Sequence, residues 1–188
     1  MKAVFFEKMG GTEILNYGEL PDPKPRRGEA LVQVKACGLN HLDIWLRQDA
    51  NNSRNILMPH IPGSDVSGII KEINGESLLR AGQKVLLNPS IPCGICSRCV
   101  CKEPCELVKI FGVKNQGGYA EYITAPLSQL YPKPENISFV EAAAFPLTFL
   151  TAWHMLISRS NLKKNETIFI WGASGGLGSS AVQIAKYL

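Results

Sequence analysis

Five of the six cysteines, Cys93, Cys96, Cys99, Cys101 and Cys105, fall within thirteen residues. Thiols crowded into one loop either oxidise to disulfides or bind a metal. The N-terminus carries an apolar run of only four residues before charge returns, too short for a signal peptide or membrane span, so a cytoplasmic chain is expected. That compartment keeps thiols reduced and favours the metal. Zinc takes thiolates at tetrahedral corners about 2.3 Å from the ion, and two-residue spacers let one loop wrap three of them around it. Cys93, Cys96 and Cys99 have that spacing. The fourth ligand is Cys101 or Cys105, with Cys105 favoured because a ligand two residues after Cys99 would strain the tetrahedron. Closed by four sulfurs, the site has no position for a substrate. It would stabilise its loop and perform no chemistry.

A second chemical signal spans Glu166 to Leu188. Thr167 to Trp171 is a short apolar run that predicts a strand, Gly172 to Gly178 holds four glycines in seven positions, and Ala181, Ile184, Ala185 and Leu188 follow at helical spacing. Strand, glycine turn and helix are the context a dinucleotide turn requires, although Gly-Ala-Ser-Gly-Gly-Leu-Gly departs from the usual glycine pattern. Gly172 would adopt a conformation closed to other residues, Gly175 and Gly176 would let the main chain approach a ligand, and Gly178 would pack the helix on the strand. Amides at the helix start would then face a pyrophosphate.

The elements that must position these groups change character along the chain. Lys2–Phe6, Ile14–Tyr17, Ala30–Ala36, Val66–Ile73, Lys84–Leu87, Tyr119–Thr124 and Gln129–Tyr131 predict strands, with turns at Pro21–Pro25, Gly63, Asn74-Gly75 and Gly82. This makes the first part, residues 1–135, a largely antiparallel β domain. Leu42–Arg47 predicts a short helix, with Leu42, Trp45 and Leu46 on one face. From Asn136 the pattern turns helical: Ser138 and Glu141 form a capping-box signature, Pro146 interrupts, and Leu147–Ile157 resumes the helix. Residues 136–188 are therefore connecting helices and the opening strand, turn and helix of a second domain. With 188 residues, 45% of them hydrophobic and 19% charged, the chain supports one good core or one and a part. Its net charge of +4 is scattered, with no stripe suited to nucleic acid.

The order of these motifs carries a resemblance. The β domain, the cysteine loop, Gly117-Gly-Tyr-Ala-Glu-Tyr122, Glu141-Ala-Ala-Ala-Phe-Pro146, Thr151-Ala-Trp153 and the Gly172–Gly178 turn together resemble the medium-chain dehydrogenase/reductase superfamily. The resemblance implies a mixed α and β chain: a GroES-like catalytic domain followed by the start of a Rossmann domain that binds NAD or NADP in the cleft between them. A complete member continues well beyond Leu188, so the chain is expected to hold only the opening of its cofactor domain and to be inactive alone. The parent is expected to be a homodimer or homotetramer acting on a small molecule, with neither nucleic acid nor membrane as partner.

The branch follows from what stands at the catalytic-zinc positions of the alcohol dehydrogenases. Asn40 stands where the first ligand, a cysteine, is expected, and Cys37 is three residues too early. Ser64 and Asp65 replace a His and a Glu, Thr148 aligns with the third ligand, and Leu42 replaces the proton-relay hydroxyl. Asn40, Asp43, Gly63-Ser-Asp65 and the glycine turn instead resemble the quinone oxidoreductase side, which works with NADPH and no catalytic metal. Such enzymes usually lack the cysteine loop, and this loop is two residues shorter between Cys99 and Cys105 than the family norm. The resemblance assigns Asn40 and Asp43 catalytic roles, and His41, Thr148, Gly172, Gly175, Gly176, Leu177 and Gly178 to the cofactor. Structural roles stand beside these: Asn40 as a helix cap, Asp43 as acceptor for a loop's backbone amides, Trp45 and Leu57 as core or pocket wall, and His41, His60 and His154 as surface or supporting side chains. The reading is an NAD(P)H-dependent reductase of a quinone, enone or similar carbonyl. A zinc alcohol dehydrogenase and a non-enzymatic zinc-stabilised module are the alternatives.

Overall fold

Lys2–Phe5 forms strand β1, paired antiparallel with β2 (Asn16–Glu19). Between them Thr12–Ile14 is a turn of 3-10 helix, so the strand expected at Ile14–Tyr17 begins two residues later. Five further strands, β3 (Glu29–Gly38), β4 (Asp65–Asn74), β5 (Lys84–Leu87), β8 (Tyr122–Pro126) and β9 (Leu130–Pro132), form one antiparallel sheet in the order β8-β3-β4-β5-β9. The side-chain period of two decides its buried face. Ala30 and Val32 of β3 lie directly opposite Ala125 and Ile123 of β8, and all four are buried with Val66, Ile70, Val85 and Leu87. A short pair that sequence reading did not anticipate, β6 (Ser90–Ile91) with β7 (Lys109–Ile110), closes the base of the cysteine loop.

The computed structural model describes residues 1–49, 52, 55–101 and 105–188, and these divide into two units, Met1–Ala144 and Phe145–Leu188. In the first, helix α1 (His41–Arg47) follows β3, with Leu46 buried among Phe6, Ile14, Ile56 and Val113 and with Leu42 packed against them. Leu42 and Leu46 are four residues apart and fix that face. Trp45 lies off it at 58% exposure, edge-on to His41, and Leu57 is 85% exposed, so the expectation that they are core residues is corrected. Helix α2 (Ser97–Val100) is a single turn inside the cysteine loop. Helix α3 (Phe139–Ala143) starts on the expected capping box: Ser138 Oγ accepts from the Glu141 amide and the Glu141 carboxylate accepts from the Ser138 amide.

In the second unit, α4 (Pro146–Trp153) starts with its proline at the first position, where no amide is required. It continues as a π-helical turn, His154–Arg159, so the single helix expected over Leu147–Ile157 changes its hydrogen bonding part-way. Ala152 and Leu156 pack against Ala181 and Ile184 of α5 (Gly176–Tyr187). The strand expected at Thr167–Trp171 is not formed. Its alternation is present, Ile168 and Ile170 packing on the helices while Phe169 and Trp171 are exposed, but among the described residues no strand pairs with it. A β-strand exists only through such pairing. No helix among the described residues is long and apolar enough to cross a membrane.

Candidate active site and metal centre

The cysteine loop gathers four sulfurs. Cys93, Cys96, Cys99 and Cys105 place their Sγ atoms within 4.8 Å of one another, whereas Cys101 is exposed and outside the group. Two sulfur pairs, Cys93–Cys99 and Cys96–Cys105, are each 3.9 Å apart. A disulfide needs about 2.05 Å. A tetrahedron with metal–sulfur bonds of about 2.3 Å has edges of about 3.8 Å. The two pairs share no residue, as two opposite edges of such a tetrahedron would not. Local backbone builds this arrangement: the amides of Cys96, Cys99 and Cys93 donate to the sulfurs of Cys93, Cys96 and Cys105 at 3.4, 3.4 and 3.3 Å. An Arg98–Glu106 ion pair at 2.9 Å ties the two sides of the loop.

The thiols affect one another's protonation. Backbone amides of Ile95 and Cys96 pull Cys93 down to about 6, while desolvation and the neighbouring Cys96 thiol push Cys99 up to about 12. Four thiolates in this volume repel unless a cation neutralises them. The donor set and spacing fit a zinc ion with every corner taken.

The second candidate site is assembled from separate segments of the first unit. Two bulges shift the pairing of β3 and β4, and the pairing ends with Gly38 opposite Asp65. Asn40, two residues beyond, occupies the N-cap position of α1 and donates from Nδ2 to Asp65 Oδ2 at 2.9 Å. Asp43, in the first turn of the helix, accepts from the Asn40 amide at 2.9 Å, the Gly63 amide at 3.3 Å and the Tyr119 hydroxyl at 2.7 Å. Asp43 thus braces three segments. Gly63 has φ of +101°, and a side chain there would sit 2.6 Å from the Tyr119 ring and 2.8 Å from Cys37 Sγ. The junction therefore requires glycine.

These groups open onto a cavity of about 350 Å³ whose wall includes Asn40, His41, Asp43 and Tyr119 beside apolar Leu39 and Ile44. Trp45 is not part of that wall. Burial, reinforced by the hydrogen bond to Asp43, raises the Tyr119 phenol above its usual range and keeps it a donor. Burial and the charges of Asp43 and Asp65 likewise raise the Cys37 thiol, which disfavours its thiolate. Among the described residues the four-cysteine group is the one set of three or more His, Cys, Asp or Glu side chains arranged to hold a metal. His60 is a core residue, 2% exposed, with Nε2 2.9 Å from the Gly112 carbonyl.

The second unit contains the remaining predicted residues. Gly172 has φ of +68°, as expected for the turn. A side chain on Gly178 would lie 2.2 Å from the Gly172 carbonyl oxygen, so this glycine packs the helix against its own turn and not against a strand. Gly175, Gly176 and Leu177 are exposed at the start of α5, and a Cβ on Gly176 would meet Thr148 Cγ2 at 3.2 Å. Thr148 and the glycine turn are therefore neighbours, and the exposed turn leaves the main chain accessible to a phosphate-bearing ligand. Sequence reading missed two partners, Tyr119 and Asp65 in its hydrogen-bonding role. The only advance signals were a tyrosine inside the Gly117–Tyr122 motif and a carboxylate at the head of an apolar strand.

The alcohol dehydrogenase GroES-like domain family matches residues 26–135. The chain belongs to that family, and so to the medium-chain dehydrogenase/reductase superfamily. It is 33% identical over 188 residues to a quinone oxidoreductase of Pongo abelii, an alignment spanning 99% of this chain and 50% of the relative. Among solved structures it superposes on an NAD-dependent alcohol dehydrogenase with a TM-score of 0.95 and 40% identity, covering 100% of this chain and 55% of that one. A cobalt and zinc bound thermostable alcohol dehydrogenase from Pyrobaculum aerophilum gives a TM-score of 0.88 at 34% identity, covering 100% and 57%. The chain spans about half the length of the curated relatives it matches. These relatives make it part of an oxidoreductase superfamily whose members act on small molecules.

Proposed function

We propose that the protein carrying this chain is an NAD(P)H-dependent oxidoreductase that reduces a quinone, enone or similar carbonyl without a catalytic zinc. One observation carries the reading. The residue that the resemblance sets at the first catalytic-zinc position is Asn40, which lines the cavity and donates from its carboxamide to Asp65. An amide paired with a carboxylate supplies a hydrogen-bond donor to the cavity, not the His and Cys set that catalytic zinc uses. The name of the Pongo abelii relative supports the same branch.

A nicotinamide cofactor, when bound, would supply the hydride. Residues of this chain orient the acceptor and meet its charge. As hydride adds to the acceptor carbon, electron density moves onto the carbonyl oxygen, which finally takes a proton from solvent. The Asn40 amide would stabilise that oxygen, and one such donor is worth roughly 3 kcal/mol. Leu39 and Ile44 offer an apolar wall suited to a quinone or enone ring. Asp43 supports the constellation by fixing α1, Gly63 and Tyr119 together. Thr148 and the turn residues Gly172, Gly175, Gly176, Leu177 and Gly178 would hold the cofactor's ribose and phosphates, and the resemblance assigns His41 to the cofactor as well. Cys93, Cys96, Cys99 and Cys105 would hold a structural zinc.

The zinc alcohol dehydrogenase reading is favoured by the likeness to the metal-bound Pyrobaculum aerophilum enzyme. Assaying the protein with NADH and NADPH against a quinone, an enone and a primary alcohol, with and without added Zn²⁺, separates the two. Turnover of the quinone or enone independent of added zinc is expected. Fast zinc-dependent alcohol oxidation with neither of the others turned over would sink the proposal.

A further inference from the structure

We infer that Asp65 is a positioning residue that makes Asn40 a one-way hydrogen-bond donor toward the cavity, an inference that rests on the reading of Asn40 as the anchor for the acceptor oxygen. A carboxamide is ambivalent: rotated by half a turn, it presents an oxygen where it had presented an N–H. Facing the oxygen of a quinone or enone, the wrong orientation repels and the right one binds. Something must choose between them.

Asp65 has the placement to do so. It is 2% exposed and absent from the cavity wall, so it acts on a cavity ligand through Asn40. As a carboxylate it only accepts, and its Oδ2 lies 2.9 Å from Asn40 Nδ2. That contact forces the nitrogen toward Asp65, occupies one of its two N–H groups and fixes the direction of the other. The support is rigid, because Asp65 opens β4, which lies inside the sheet between β3 and β5, and its partner in the register is Gly38, two residues from Asn40. A side chain on Gly38 would lie 2.5 Å from the Ala143 carbonyl oxygen and 3.1 Å from Asp65 Cβ, so glycine there is required by α3 first and by Asp65 second. The other end of the short segment is held separately by the Asn40 amide on Asp43. Backbone and side chain of Asn40 are thus fixed by two different carboxylates, one on each side.

The test combines a spectrum with a thermodynamic cycle in the cofactor-bound protein. In the ¹⁵N-labelled wild type, the Asn40 side chain should show two inequivalent N–H resonances, one protected from solvent exchange, and Asp65→Asn should abolish the protection. The same substitution should lower kcat for quinone or enone reduction about tenfold, the scale of one charge-assisted hydrogen bond, with KM changed less than about twofold. In an Asn40→Ala background, Asp65→Asn should have no additional effect, because its route of action is gone. An active protein in which Asp65→Asn leaves kcat unchanged, or in which the two losses add in full, overturns the inference. If the wild type reduces neither quinone nor enone, the functional reading fails instead. The wild-type resonance then decides alone: a protected Asn40 N–H upholds the positioning and an unprotected one overturns it.

Discussion

The cysteine loop and the Asn40–Asp43 junction are both clusters of polar side chains, built on opposite principles. The loop takes its four sulfurs from thirteen consecutive positions, held by amide-to-sulfur bonds between residues a few apart. The junction joins residues 25, 20 and 76 positions apart, Asn40 to Asp65, Asp43 to Gly63 and Asp43 to Tyr119, and gives its two carboxylates N–H and O–H donors. A local cluster of like groups needs an ion from outside to hold it. A distributed cluster of donors and acceptors holds itself, and the fold supplies the placement.

Denying the loop the ion it would hold is the strongest way to break this comparison. Wild type is expected to bind about one zinc per chain, because one tetrahedral thiolate set is present. Cys93→Ser or Cys105→Ser should lose it and Cys101→Ser should keep it, as read by metal analysis. Without metal the segment between β6 and β7 should become protease-sensitive, since structural zinc binding contributes on the order of 10 kcal/mol to the fold it closes. Carefully purified wild type without metal would remove the distinction between the two clusters.

Asp43→Ala probes the other side. It leaves the Tyr119 hydroxyl and the Asn40 and Gly63 amides without their acceptor, and the expected destabilisation is about 3 kcal/mol by chemical denaturation. Zinc content should be unchanged. Loss of zinc in this variant would show that the two regions are coupled.

The smallest effect concerns pH. Burial lowers the His60 pKa below its ordinary 6.5, so the unfolded chain binds the extra proton first. Stability should be constant above about pH 6.5 and fall as pH drops through that value toward the folded-state pKa, by at most about 1.4 kcal/mol per pH unit. His60→Gln should flatten that slope between pH 7 and 5. A wild-type curve flat over the same range would show that His60 gains its proton without penalty.

Features legible in advance were those whose cause is local. Strands β3, β4 and β5 announced themselves as short runs rich in β-branched residues, and α3 through Ser138 and Glu141. A run of the same kind at Thr167–Trp171 predicted a strand that does not form, because residue type states what a strand would bury and says nothing of whether a partner exists. Trp45 failed for a related reason: one turn of α1 has room for a single buried face, and Leu42 and Leu46 occupy it.

By itself the sequence determined the cysteine spacing, the caps, the turn glycines and the β-branched runs that make the first unit an antiparallel β structure. All of these depend on residues within a few positions of one another, where backbone geometry translates spacing directly into placement. Only the tertiary structure decided that Asp65 faces Asn40, that Tyr119 reaches Asp43, and that Cys37 is a partly buried thiol beside the two carboxylates. Those contacts depend on the register of β3 against β4 and its two bulges, and a shift of one residue would turn the same side chains to opposite faces.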